Sequence, residues 1–215
     1  MQRLRVKFHR GEEVRFISHL DIMRLWHRAF IRAGVPLAYS EGFNPHPRIS
    51  LAAPLALGVT SEAELMDVML STGLTPHSFT SVVGRQLPVG ISIIQVLNTP
   101  LALPSLQSLV RFAEYKVGLE TGQSAAEVAG AITFLMSKTE LPWQHQRDTG
   151  VRRYNLRALV DDLWLIDITD GFCNIGMKLR CDSNGSGRPE QVVAALGFAN
   201  YPESIHRTGL ILKST

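Results

Sequence analysis

Between residues 3 and 33 the hydrophobic period changes from two to about 3.6, and that change constrains the fold more than any other feature. Leu4, Val6 and Phe8 alternate with Arg3, Arg5 and Lys7, the pattern of a half-buried strand. Ser18 and Asp21 then form an S-x-x-D cap for a helix running to Ala33, with Gly34 as its stop and Pro36 just beyond. A strand is expected near Arg48–Ala53 and another over Ala63–Leu70. A helix over Thr75–Gly84 and a last strand over Ile91–Leu97 complete the series. The order is βαββαβ, the ferredoxin-like pattern.

The second half returns to the same series. Strands are expected over Val110–Leu119, Arg157–Ile168, Asn174–Cys181 and Ser204–Leu212, with helices over Ser124–Ser137 and from Pro189 to Leu196. A segment around Trp143–Tyr154 reads as an insertion, and Asp182–Arg188 (DSNGSGR) as a flexible loop. The expected fold class is therefore α+β, two tandem ferredoxin-like units. The expected domains are residues 1–99 and 105–215, with the insertion near 143–154 in the second and Pro100–Pro104 as linker.

Composition narrows the function. Hydrophobic residues are 45% of the chain and charged residues 19%, so a packed core is affordable and disorder is not indicated. No run of about 18 apolar residues could span a membrane, and the basic N-terminus lacks the apolar stretch of a signal peptide. Cys173 and Cys181 have neither metal-ligand spacing nor a disulfide framework and read as thiols of a reducing cytosol. A cytoplasmic protein with no cofactor and no metal of its own is expected. No P-loop, dinucleotide fingerprint, nucleophile elbow or H-E-x-x-H is present.

The net charge of +3 is unevenly placed. Residues 1–50 carry nine Lys/Arg against four Asp/Glu, whereas residues 51–215 carry 13 against 15. A balance of +5 at one end points to an anionic partner there. Arg24, Arg28 and Arg32 lie four apart and stay within about 80° on one helix face, a ridge able to track phosphates. The expected buried side is Leu20, Met23, Trp26, Phe30 and Ala33. Arg3, Arg5 and Lys7 offer cations on the open sheet face, without the aromatics that RNA-recognition sheets use for stacking. A second basic surface is expected at Arg147, Arg152, Arg153 and Arg157, beside Tyr154 and His145.

The loop Tyr39–Arg48 (YSEGFNPHPR) carries glycine, two prolines, two aromatics, a histidine and an arginine. Proline stiffens such a loop before anything binds, which suits recognition. Gly42, Phe43, Asn44, His46 and Arg48 are its candidate binding residues. His19, at the helix start, and His46 are the two candidates for acid–base chemistry, as a pair able to serve RNA cleavage.

The stretches R-F-x-S-H-L-D (Arg15–Asp21), G-F-N-P-H-P (Gly42–Pro47) and P-L-x-L-G-V (Pro54–Val59) closely resemble the bacterial radical-SAM-linked protein family, a domain of unknown function. The resemblance covers Lys7–Leu70, about a third of the chain. It implies a radical SAM protein of cobalamin-binding type as partner, and a gene neighbourhood of RNA processing and ribosomes. With no C-x3-C-x2-C run here, radical chemistry would belong to a separate chain. A duplicated fold of this kind also resembles tRNA pseudouridine synthases and CRISPR repeat-processing endoribonucleases.

Three functions remain open at this point. The first is an RNA- or tRNA-binding accessory protein of a separate radical SAM enzyme, without catalysis of its own. The second is an RNA-cleaving or RNA-modifying enzyme using His19 or His46. The third is a module docking the radical SAM partner through Gly42–Arg48 without nucleic acid.

Overall fold

A computed structural model describes residues 1–147 and 150–213, with the side chains of Gln146 and Arg147 outside the description. The fold is α+β. In chain order the elements are β1 (Gln2–Arg10), α1 (His19–Arg32), β2 (Ile49–Leu51), β3 (Thr60–Leu70), α2 (Pro76–Gly84), β4 (Ile91–Thr99) and α3 (Leu106–Leu109). They continue with β5 (Val110–Glu120), α4 (Ala125–Ser137), β6 (Pro142–Arg147), β7 (Gly150–Asn155) and β8 (Val160–Thr169). The last are β9 (Phe172–Asp182), β10 (Gly185–Ser186), α5 (Pro189–Ala195) and β11 (Ser204–Leu212). Two compact units divide between Val110 and Arg111, and Leu212 and Lys213 join the first unit.

In the first unit the strands are ordered β4-β1-β3-β2, each neighbour antiparallel. The apolar side of β1 behaves as its alternation requires, with Leu4, Val6 and Phe8 buried. Against it packs the apolar face of α1: Ile22, Trp26, Ala29 and Phe30. A chain of rings fills this interior, Phe8 to Trp26 at 4.9 Å edge-on, Trp26 to Phe30 at 5.5 Å and Phe30 to Phe79 at 5.6 Å. Such pairs add about 0.5–1.5 kcal/mol each beyond area burial.

Leu20 departs from expectation: it is 65% exposed, and Ile22 and Ala29 are buried in its place. Six residues separate Leu20 from Trp26, which turns Leu20 about 120° away from the buried stripe. Two of the three cations expected on the open sheet face, Arg3 and Arg5, are held by internal partners. Arg5 pairs with Asp67 directly across the ladder, and Arg3 reaches the same carboxylate while donating to the carbonyls of Leu103 and Pro104 at 2.8 and 2.9 Å. Both guanidiniums are thereby committed to internal partners.

In the second unit the neighbours run β11-β5-β9-β8. The segment read as a flexible loop is a tight hairpin, in which β10 folds back on β9 with Gly185 opposite Asp182 and Ser186 opposite Cys181. Asp182 drives the turn by accepting the Asn184 N–H at 2.8 Å. The insertion forms its own two-stranded ribbon, β6 against β7. Arg157–Leu159, expected to begin a strand, lies in a short 3-10 turn before β8. Among the described residues no helix is long and apolar enough to cross a membrane.

Candidate functional site: an arginine groove and a pinched loop on one helix

The start of α1 is set by Ser18, whose Oγ accepts the Asp21 N–H at 3.2 Å and donates to Asp21 Oδ2 at 2.6 Å. Its end is set by Gly34, at φ +67°, which lets the chain turn out of the helix. Arg10 holds the approach, with its buried guanidinium donating to the carbonyls of Val14, Arg15 and Ile17. The Arg15 carbonyl in turn accepts from the Gly58 N–H at 2.9 Å, so two of the signature stretches meet here. Replacing Ser18 with alanine is expected to cost about 1 kcal/mol, with the loss read from urea unfolding of the full chain.

Arg24, Arg28 and Arg32 lie on the exposed side of this helix, and they are not alone. The end of α2 brings Arg85 and Gln86 beside them, followed by Leu87 and Pro88. Together these residues line a groove of 580 Å³ with four guanidiniums along it. Arg32 fastens its far end by donating to the Gln86 carbonyl at 2.8 Å and to Gln86 Oε1 at 3.3 Å. Arg24 pairs with Asp21 at 3.0 Å, both well exposed. The hydrogen bond from Ser18, with that from Arg24 and the charges of Arg24 and Arg28, holds the Asp21 carboxyl below its ordinary range. Arg28 and Arg85 make no hydrogen bond or ion pair among the described residues. The groove therefore presents two uncommitted cations and two whose exposed partners can be exchanged for phosphate oxygens at little cost.

The Gly42–Arg48 loop lies on the opposite flank of the same ridge. Its neck is pinched by the Tyr39–Pro47 bridge, by Ser40 N–H to His46 O at 2.8 Å and by His46 N–H to Ser40 Oγ at 3.0 Å. Arg48 continues the neck into the sheet, its N–H donating to Ala38 O at 2.8 Å and its carbonyl accepting from Met69 N–H at 3.0 Å. Gly42, at φ +118°, turns the tip and leaves Phe43 wholly exposed at 109%, with Asn44 and His46 exposed beside it. His27 on α1 touches Tyr39, Nε2 to Oη at 3.5 Å with the rings edge-on at 6.4 Å. Around the helix, His27 sits about 100° to one side of Arg28, and Leu25 about 60° to the other. Loop and groove thus share α1 without sharing a pocket.

His19 stands a further eight residues before His27, roughly 12 Å along the axis. No hydrogen bond or ring contact joins it to His46 among the described residues. In the second unit the expected basic surface divides. Arg157 is structural, donating to the carbonyls of Val160 at 2.6 Å and Met136 at 3.3 Å. Arg152 stacks over Tyr154 at 5.6 Å, and Arg153 lies exposed on β7. The side chain of Arg147 is outside the described residues. Among those residues no cluster of three metal-ligating side chains occurs.

Sequence reasoning missed Arg85 and Gln86 in the groove. Their signal was weak: a cation and an amide just after a helix-ending glycine, 53 residues beyond Arg32 in the chain. Arg180 and Arg188 were missed for the same reason, since only folding brings them beside Asn184, Ser186 and the ribbon residue Arg152.

Comparison with solved structures finds a likeness of fold to one chain about twice as long, and two weaker likenesses. A Cbf5-Nop10-Gar1 complex matches with a TM-score of 0.53 at 8% identity, over 96% of this chain and 48% of that one. An archaeal box H/ACA sRNP Nop10-Cbf5 complex matches with 0.47 at 9% identity, over 95% and 46%. An H/ACA RNP bound to a substrate RNA containing 2'-deoxyuridine matches with 0.47 at 12%, over 96% and 46%. The chain spans about half the length of each. Curated protein sequences give no match. A family match, in contrast, extends over residues 3–189, and on it the chain belongs to the uncharacterized proteins conserved in bacteria, DUF2344.

Proposed function

We propose that this chain binds RNA, with tRNA as the first candidate, and that the α1 groove takes its phosphate backbone. The single observation that carries this reading is the convergence of Arg24, Arg28, Arg32 and Arg85 on one groove, two of them uncommitted. Arginine suits the task because its planar fork bonds phosphate oxygens in pairs. The charge balance of +5 over residues 1–50 adds a longer-range attraction. The fold likeness to a chain of the Cbf5-Nop10-Gar1 complex supports the same direction, as analogy of fold alone. We read both units as ferredoxin-like, residues 1–99 and 105–215; the shared order, fourth strand beside first, third and second, supports that.

The test is binding of total tRNA by the full chain at several salt concentrations. Four phosphate contacts imply a log–log slope between about −2.8 and −3.6, the limits for single strands and duplex. A flat slope, or no binding at low salt, overturns the reading.

A second reading is favoured by a different observation. Leu20, Ile31, Tyr39 and Phe43 are large apolar residues left exposed, on the flank of α1 that faces the pinched loop or on the loop itself. Such a surface suits a protein partner, and the family resemblance names a radical SAM chain. Phe43→Ser would abolish co-purification with that chain while leaving tRNA binding intact; loss of both, or of neither, contradicts this division of labour. Catalysis by His19 and His46 as a pair receives no support from their placement.

A further inference from the structure

The ribbon β6–β7 places chemistry on one face that the groove does not use. Trp143 is directly opposite Tyr154, and the next pair on that face is His145 opposite Arg152. Residues two apart on a strand share a face, so two aromatics stand beside an imidazole and a guanidinium. Tyr154 is fixed in place by donating its hydroxyl to the buried Gln191 on α5. Burial pushes the Tyr154 phenol up, against the opposing effects of that bond, Arg188 and Arg152, so it stays a neutral donor.

Two cavities adjoin at Tyr154 and Asn155. One, of 670 Å³, is open and is walled by Trp143 and Tyr154. The other, of 220 Å³, is more enclosed and gathers Arg152, Arg180 and Arg188 with His145, Asn184 and Ser186. Arg180 is held by Asp182 at 3.0 Å, while among the described residues Arg188 has a long contact of 3.7 Å to Glu190. Three arginines around a small, half-open space match a phosphomonoester, which carries close to two charges and three acceptor oxygens. A flat aromatic wall next to it matches a nucleobase.

We propose that the second unit carries a binding site for one 5′-phosphorylated nucleotide, its phosphate among Arg152, Arg180 and Arg188 and its base against Trp143 and Tyr154. The nucleotide is either a free nucleoside monophosphate or the phosphorylated end of an RNA chain; the chemistry recognised is the same. This site does not rest on the groove of the first unit.

The experiment is calorimetric titration of the full chain with the four nucleoside 5′-monophosphates, the matching nucleosides, and a short RNA with and without its 5′-phosphate. Charge-assisted hydrogen bonds make the phosphorylated form of at least one pair bind about tenfold or more tighter. Preference among the mononucleotides identifies a small-molecule site; preference in the RNA alone identifies an end-binding site. Arg152→Glu with Arg188→Glu abolishes the preference, and Trp143→Ala weakens the nucleotide while leaving weak inorganic phosphate binding unchanged. If charge reversal prevents folding, as a melt would show, Arg152→Ala with Arg188→Ala reads out the same loss. Equal affinity for both forms, or a preference that survives the double variant, overturns the proposal. Arg28→Glu separates the two sites: it reduces tRNA binding and leaves the 5′-phosphate preference intact.

Discussion

Asp67→Ala will destabilise the first unit by about 3–5 kcal/mol, a large part of the roughly 5–15 kcal/mol that holds a typical domain together. Asp67 is 3% exposed, and both of its oxygens are used: Oδ1 accepts from Arg5 at 2.9 Å, while Oδ2 accepts from Arg3 and from Arg5 at 3.1 Å. Arg3 is itself buried and cannot swing into water without giving up Leu103 and Pro104. Removing the carboxylate therefore leaves a buried cation with carbonyl partners only. Glu12→Ala is the contrasting variant, because its pair with Arg15 is exposed on the carboxylate side and contributes at most about 1 kcal/mol. Urea unfolding of both variants decides the matter. If Asp67→Ala unfolds at the same urea concentration as the parent, the network is dispensable.

Arg28→Glu combined with Arg85→Glu will lower RNA affinity by roughly a hundredfold or more at low salt. Each lost charge-assisted contact is worth about 1.5–3 kcal/mol, and each introduced carboxylate adds repulsion. The log–log salt slope should become shallower by about 1.4 to 1.8, two contacts at the single-strand or duplex value. Stability should change by only about ±0.5 kcal/mol, because neither arginine has an internal partner among the described residues. Filter binding of tRNA at four salt concentrations, with a thermal melt of the same protein, provides all three quantities. A folded double variant with unchanged affinity and slope removes the groove from RNA binding. The exposed flank of Leu20, Ile31, Tyr39 and Phe43 then becomes the surface to mutate.

What could be read from the chain follows the range of the forces involved. The cap at Ser18, the stop at Gly34 and the alternation of Leu4, Val6 and Phe8 are local signals, decided by residues within a few positions, and they are where expectation and structure agree. Leu20 failed for a geometrical reason: it is apolar, yet it lies a third of a turn off the buried stripe. Arg3 and Arg5 failed for a topological one. Their partner Asp67 lies 64 and 62 residues away, and only the antiparallel register of β1 with β3 sets it opposite them. The same applies to the candidate sites. Arg24, Arg28 and Arg32 are visible as a helical ridge, but the groove needs Arg85 from the end of α2. The insertion near Trp143–Tyr154 is legible in the sequence but its two strands are not, because a ribbon of two short strands has too few residues for its alternation to stand out.

Photo-cross-linking locates the RNA relative to the arginine ridge of α1. A tRNA carrying 4-thiouridine would be irradiated with the full chain and the attached peptides identified by mass spectrometry. Cross-links are expected in the segments 19–32 and 85–90, lost when unmodified tRNA is added in excess. Cross-links confined to other segments, or none from a complex that demonstrably forms, would contradict RNA binding along this ridge.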